Sequence, residues 1–155
     1  MPQHFLTAAA KLAGVSMRRG YGGPFGAVIV HKGKVIAAAA NSVLKEQDAT
    51  RHAEINAIRI ASKKLRRFSL EDCDIYSTTE PCPMCFSAIH WARLRRVVYS
   101  TVIADVRKLG FNELTISNTK MKSWGKSPVR LDRIENRDCT ELLRDWQRLA
   151  VKQTY

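Results

Sequence analysis

The sequence predicts an α/β fold, a sandwich with helices on both faces of a sheet. Short apolar runs bounded by turn residues alternate with longer runs whose apolar positions recur at helical spacing. No internal repeat, low-complexity tract or linker divides the 155 residues. One hydrophobic core suffices for a chain of this length, so residues 1–155 read as a single domain.

Taken in order, residues 2–19 place Phe5, Leu6, Ala9, Leu12, Ala13 and Val15 on one side of an amphipathic helix, and Gly20 to Pro24 end it. FGAVIVH and VIAAAAN, separated by Lys32-Gly33-Lys34, read as two buried strands closed by a hairpin turn. A polar loop, SVLKEQDATR, follows. HAEINAIRIASKKL then sets Ile55, Ile58 and Leu65 along the core-facing side of a helix that His52 opens. DIYSTTE is a short strand. Pro81 and Pro83 bracket Cys82, and Pro83 suits the first turn of a helix through MCFSAIHWARL, where its missing N–H costs nothing. RVVYST is the next strand and IADVRKLGF a short helix, whereas ELTISNTKMKSWGKSPVRL mixes strand signals with loop. The last helix, CTELLRDWQRLAVKQ, lines up Leu142, Leu143, Trp146, Leu149 and Ala150.

A composition of 45% hydrophobic and 26% charged residues is that of a soluble globular chain and excludes disordered and membrane classes. No apolar run approaches the roughly 20 residues of a spanning helix. The N-terminus lacks a basic start and carries lysine and arginine within its apolar pattern, which argues against a signal peptide and leaves the cytoplasm as the expected location. In a reducing compartment a close Cys-x-x-Cys pair is metal-binding or redox-active. Cys73 and Cys139 read as ordinary buried or half-buried thiols. The net charge of +12 permits attraction to nucleic acid, but basic residues spread along the whole chain equally describe a solvated surface.

The residues that carry chemistry are HAE at 52–54 and PCPMC at 81–85, each where a strand or loop feeds into a helix. Neither is specific alone. A closed structural zinc needs a fourth protein ligand, and His4, His31, His90, Cys73 and Cys139 show no paired metal spacing. Nothing around the motif supports a thioredoxin-like redox pair. Together His52, Cys82 and Cys85 supply three ligands and leave a fourth position for water, the pattern of a catalytic zinc. Helix N-termini favour thiolate over thiol, and zinc lowers the pKa of a bound water from about 15.7 toward 7. Glu54, two residues beyond His52, is then free to move protons to and from that water without coordinating the metal.

H-x-E with P-C-x-x-C is the zinc deaminase signature, and the chain resembles the cytidine deaminase superfamily and, within it, the small bacterial guanine deaminases. The similarity runs nearly end to end: GGPFGAVIV, Asn41 after the second strand, HAE, EPCPMC, AIHWAR, Gly110-Phe111 and the tyrosine at 155. The resemblance implies a three-layer α/β/α sandwich with a central mixed five-stranded sheet, one Zn2+ per chain, and a homodimer in which the C-terminal segment can be exchanged between subunits. It also implies that Phe25 and Trp91 wall a base pocket, that Asn41 hydrogen-bonds the base, and that the backbone N–H of Ala53 meets a ring carbonyl. Tyr155 would lie near the substrate, of its own or the neighbouring subunit. Without the resemblance, Phe25 and Trp91 read as packing residues, Asn41 as a turn residue and Tyr155 as a loose end.

One departure bears on the substrate. Guanine deaminases carry Asp-Asp after Gly-Phe, whereas this chain has Asn112 and Glu113. Glu113 keeps an acid but adds a methylene, and it reads either as a base contact or as a surface glutamate. The expected reaction is hydrolytic deamination of a free nucleobase, guanine to xanthine with release of ammonia. The alternatives are a tRNA adenosine deaminase acting on the anticodon, a cytosine deaminase, and a catalytically silent nucleic-acid-binding module with a structural zinc. The basic charge favours RNA, but TVIADVRKLGFNEL lacks the Asp-Pro-Lys-x-Gly-Ala type of stretch usual in tRNA adenosine deaminases, and an intact Glu54 opposes the silent module. RNA is therefore a less favoured partner than a small nucleobase, and no membrane partner is expected.

Overall fold

A computed structural model describes residues 2–155. The elements are α1 (Pro2–Arg18), β1 (Gly26–His31), β2 (Lys34–Ala40), α2 (Val43–Glu46), α3 (Ala53–Leu65), β3 (Cys73–Thr79), α4 (Pro83–Trp91), β4 (Arg96–Thr101), α5 (Ile103–Lys108), α6 (Asn118–Trp124), β5 (Arg130–Arg133) and α7 (Arg137–Arg148). The strands form one mixed five-stranded sheet in the order β2-β1-β3-β4-β5. β1 runs antiparallel to both β2 and β3, and β3, β4 and β5 run parallel.

Side chains alternate across a strand, and here both faces are covered. Ala27, Ile29, Ile75, Val97 and Tyr99 pack on the side of α3 and α4. Val28, Val30, Tyr76 and Val98 pack on the side of α1 and α7. This is the expected three-layer sandwich. Gly26 lets α1 lie directly on β1, since a Cβ there would stand 2.2 Å from the carbonyl oxygen of Ala9.

Several sequence expectations are corrected by packing. The core stripe of α3 is Ala53, Ala57 and Ala61, not the isoleucines: Ile58 and Leu65 are only partly buried, and Ile60 is exposed. Alanine is selected because the helix backbone lies close to β1 and β2. Val15 likewise faces solvent, while Ala10 and Met17 complete the buried side of α1. The polar loop after β2 contains the short helix α2, and the mixed stretch before residue 131 resolves into α6 and β5. The last helix ends at Arg148, so Ala150 is outside it and exposed.

Antiparallel pairing decides where a site can form. It aligns the entrance of β1 with the exits of β2 and β3, since Gly26 pairs with Ala40 and Ala27 with Ser77. Phe25, Asn41 and Thr79 consequently meet at one edge of the sheet, beside the first turns of α3 and α4.

Candidate active site

His52 and Cys82 are the N-caps of α3 and α4, both in extended backbone conformation, and Pro83 follows Cys82 in the first turn. The two cap side chains face each other across the helix starts. His52 Nδ1 lies 3.5 Å from Cys82 Sγ and 3.4 Å from Cys85 Sγ. Tetrahedral zinc, with Zn–S about 2.3 Å and Zn–N about 2.0–2.1 Å, separates such N and S atoms by roughly 3.5 Å, so this donor set fits the ion. Among the described residues, these are the only three His, Cys, Asp or Glu side chains that converge as a metal-binding group.

The thiols share charge unequally. The Cys85 thiol donates toward Cys82 and, with His52, lowers the Cys82 pKa against the cost of burial. That same hydrogen bond, together with burial, raises the Cys85 pKa. Burial works against an imidazolium at His52, but Cys82 and Glu54 outweigh it and raise the His52 pKa. The arrangement thus favours the thiolate form of Cys82, where a cation would be held.

Glu54 is buried in the first turn of α3. Its Oε1 accepts from Ser77 Oγ at 3.2 Å, and its Oε2 lies 3.5 Å from Cys85 Sγ. Burial, then the charge on Cys82, pushes the Glu54 carboxyl above its ordinary range. Ala53, fully buried, opens α3, so its N–H is one of those a helix leaves without an internal partner.

These groups border a cleft of about 330 Å³ whose far wall is aromatic. Phe111 meets Phe25 edge-on at 5.2 Å and Tyr155 at 5.2 Å. The Tyr155 hydroxyl accepts from the Gly23 N–H at 3.1 Å, and its backbone oxygen accepts from the Asn112 N–H at 3.0 Å. Tyr155 therefore reaches the cleft of its own chain. Asn41 is almost fully buried: its Oδ1 accepts from the Val43 N–H, while Nδ2 has no protein acceptor among the described residues. Gly22 passes so close that a Cβ there would stand 2.2 Å from Asn41 Oδ1. Glu113 also lines the cleft, and burial, then the Cys82 charge, pushes its carboxyl up to about 7.

The fold gathers His52, Glu54, Cys82, Phe25, Asn41, Glu113 and Tyr155 at this cleft, with Ala53 between two lining residues and the fully buried Cys85 behind them, in reach of His52 and Glu54. It does not bring Trp91 there. Trp91 ends α4 with 80% of its surface exposed and borders a separate groove with Phe68. Helical geometry turns it roughly 200° from the buried Ile89, which explains the correction. Phe111, Ser77 and Glu80 line the cleft without having been assigned a site role in the sequence. Glu80 belongs to the EPCPMC motif and Phe111 to the Gly110-Phe111 step, whereas Ser77 carries no local signal of a cleft position.

Comparison with known proteins agrees with this geometry. The family described as the cytidine and deoxycytidylate deaminase zinc-binding region matches residues 1–101. A guanine deaminase of Bacillus subtilis (strain 168) is 38% identical over 151 residues, covering 97% of each chain. The solved guanine deaminase from Nitrosomonas europaea superposes with a TM-score of 0.87 at 27% identity, covering 96% of this chain and 86% of that one. A tRNA-specific adenosine deaminase of Aquifex aeolicus is 39% identical over 100 residues, 64% of this chain and 66% of its own. The chain belongs to the cytidine and deoxycytidylate deaminase zinc-binding family.

Proposed function

We propose that this chain deaminates a free nucleobase, converting guanine to xanthine and ammonia with one zinc ion per chain, as a reaction of purine metabolism. The observation that carries the reading is the His52, Cys82 and Cys85 group with Glu54 beside it, at the mouth of a small aromatic cleft. At about 330 Å³ the cleft lies at the small end of ligand sites, which run from about 300 to 1,000 Å³. The guanine deaminase of Bacillus subtilis matches over nearly the full length, which favours a free purine over RNA.

Zinc on the three ligands supplies a Lewis acid that makes water nucleophilic at neutral pH. The residues of the chain do the rest. Glu54 takes one water proton and passes it to a ring nitrogen as the C–O bond forms. It then takes the remaining hydroxyl proton of the tetrahedral adduct and gives it to the amino group, so that the carbonyl forms as the C–N bond breaks and ammonia leaves. Ser77 holds one Glu54 oxygen, so the other points toward Cys85 and the ligand group. The unpaired Asn41 Nδ2 donates to a base acceptor, and the Ala53 N–H meets a ring carbonyl. Phe25, Phe111 and Tyr155 enclose the ring, and Glu113 faces its polar edge.

The same reading makes the protein a cytoplasmic homodimer. Exposed Trp91 and Phe68 offer an apolar face that a second copy would cover. Sedimentation of the purified protein checks the oligomer. Ammonia release with guanine, cytosine, adenine, guanosine and a tRNA anticodon stem-loop tests the function. Turnover of guanine is the expected result, and activity confined to the stem-loop replaces it with the RNA reading. A salt titration of RNA binding measures what the +12 charge attracts.

A further inference from the structure

We infer that Glu80 is a positioning residue that clamps the substrate-facing segment 103–118 to the metal turn; its kinetic test rests on the proposed guanine reading. Glu80 follows β3 and precedes Pro81-Cys82, and its carboxylate is buried. Its two oxygens meet backbone donors instead of a lysine or arginine. Oε2 accepts from the Ile103 N–H at 3.3 Å, and Oε1 accepts from the Asn118 N–H at 2.8 Å. Ile103 is the first residue of α5 and Asn118 the first of α6, positions where a helix leaves its N–H groups without internal partners.

One carboxylate thus holds both ends of the stretch that delivers Phe111, Glu113 and Leu114 to the cleft. The stretch is tied to the same turn once more, and the end of β4 just before it is tied there as well. Asn118 Nδ2 donates to the Pro81 carbonyl at 2.6 Å, and the Glu80 N–H donates to the Thr101 carbonyl at 2.8 Å. Residues 111–117 have no helix or strand of their own, so their anchored ends, with the Asn112 to Tyr155 hydrogen bond and the ring contacts of Phe111, decide where they sit. A carboxylate is the side chain the position calls for, because both N–H groups need an acceptor. Glutamine offers one oxygen and turns an amide donor against the second N–H. The chemistry at Glu54 stays untouched while the wall that selects the base loosens.

Glu80→Gln is expected to keep one zinc per chain and to raise the KM for guanine about tenfold, with kcat within about threefold of wild type. Glu80→Asp, which restores both acceptors but shortens the reach, falls between the two. Amide hydrogen exchange supplies a readout independent of turnover. In the wild type the Ile103 and Asn118 amides should exchange far more slowly than first-turn amides ordinarily do, and Glu80→Gln should release at least one of them. A variant that loses zinc or kcat at unchanged KM assigns Glu80 to the metal turn and overturns the proposal. So does fast exchange of both amides in the wild type, whether or not either variant folds. A wild type without guanine turnover sinks the proposed function instead, and the exchange measurement still decides the role of Glu80.

Discussion

One wall of the cleft stands on the first turns of two helices, whereas the facing wall stands on loop backbone. His52, Glu54, Cys82 and Cys85 take their positions from α3 and α4, and the parallel and antiparallel ladders around β3 hold those helices in place. Phe111, Glu113 and Tyr155 come from segments without regular structure, joined by the Asn112 to Tyr155 and Gly23 to Tyr155 hydrogen bonds and by aromatic edges. The contrast separates two tasks. The atoms that under the proposed function hold a metal and carry protons sit on rigid elements, and those that under it would contact the ring sit where small changes of chain can adjust them.

Experiments can press on each wall in turn. Stripping the metal should have the largest effect: dialysis against a chelator is expected to abolish ammonia release and to lower Tm by several degrees, with zinc restoring both. Full activity after chelation would end the zinc reading. Glu54→Gln should retain zinc and lose about 10²- to 10⁴-fold in kcat, since proton transfer contributes on that order. Metal analysis beside a turnover assay measures both halves of that statement.

On the loop wall the effect is smaller and depends on pH. The Glu113 carboxyl is pushed up to about 7 from its ordinary 4.5, so the fold favours its protonated form. Ionising it therefore costs stability, a cost absent below about 4.5 and complete above about 7. Relative to Glu113→Gln, the wild type should lose roughly 1 kcal/mol across that window, the figure being reduced for solvent screening. Urea unfolding of zinc-free protein at pH 5 and pH 8 checks it, and an identical gap at both pH values contradicts it. Trp91→Ala should do least to turnover, leaving KM within about twofold because the side chain lies off the cleft. A tenfold rise would return Trp91 to the base pocket by way of a partner subunit.

The metal wall was readable along the chain because its parts are local. HAE and PCPMC each lie within one helical turn, and proline at the start of α4 marks the boundary that places Cys82 as N-cap. The loop wall was readable only in part. Phe25, Asn41, Glu113 and Tyr155 entered through resemblance, and without it they read as a packing residue, a turn residue, a surface glutamate and a loose end. Trp91 was placed in the pocket by resemblance and in the core by its apolar character, and within this chain it lies in neither, because an apolar residue at a helix end carries no signal of which way it faces. The alanine stripe of α3 was hidden behind more hydrophobic neighbours, since a pattern records hydrophobicity and not how closely a strand approaches. β5 was missed as a strand because Arg130–Arg133 is short and charged, and its pairing depends on β4 and on the Arg96 to Asp132 ion pair.

Alone, the sequence marked the alternation of strands and helices, and His52, Cys82 and Cys85 as a group that could hold a metal, with the Glu54 carboxylate beside it. Each is a property of residue type and of spacing within a few positions, which backbone geometry converts directly into shared faces and helix starts. The tertiary structure decided that Phe25, Asn41 and Ser77 meet those ligands, that Tyr155 returns to a cleft 130 positions away from Phe25, and that Glu80 holds both ends of the selecting segment. Those neighbours depend on antiparallel register and on backbone donors of distant helices, which no local pattern encodes.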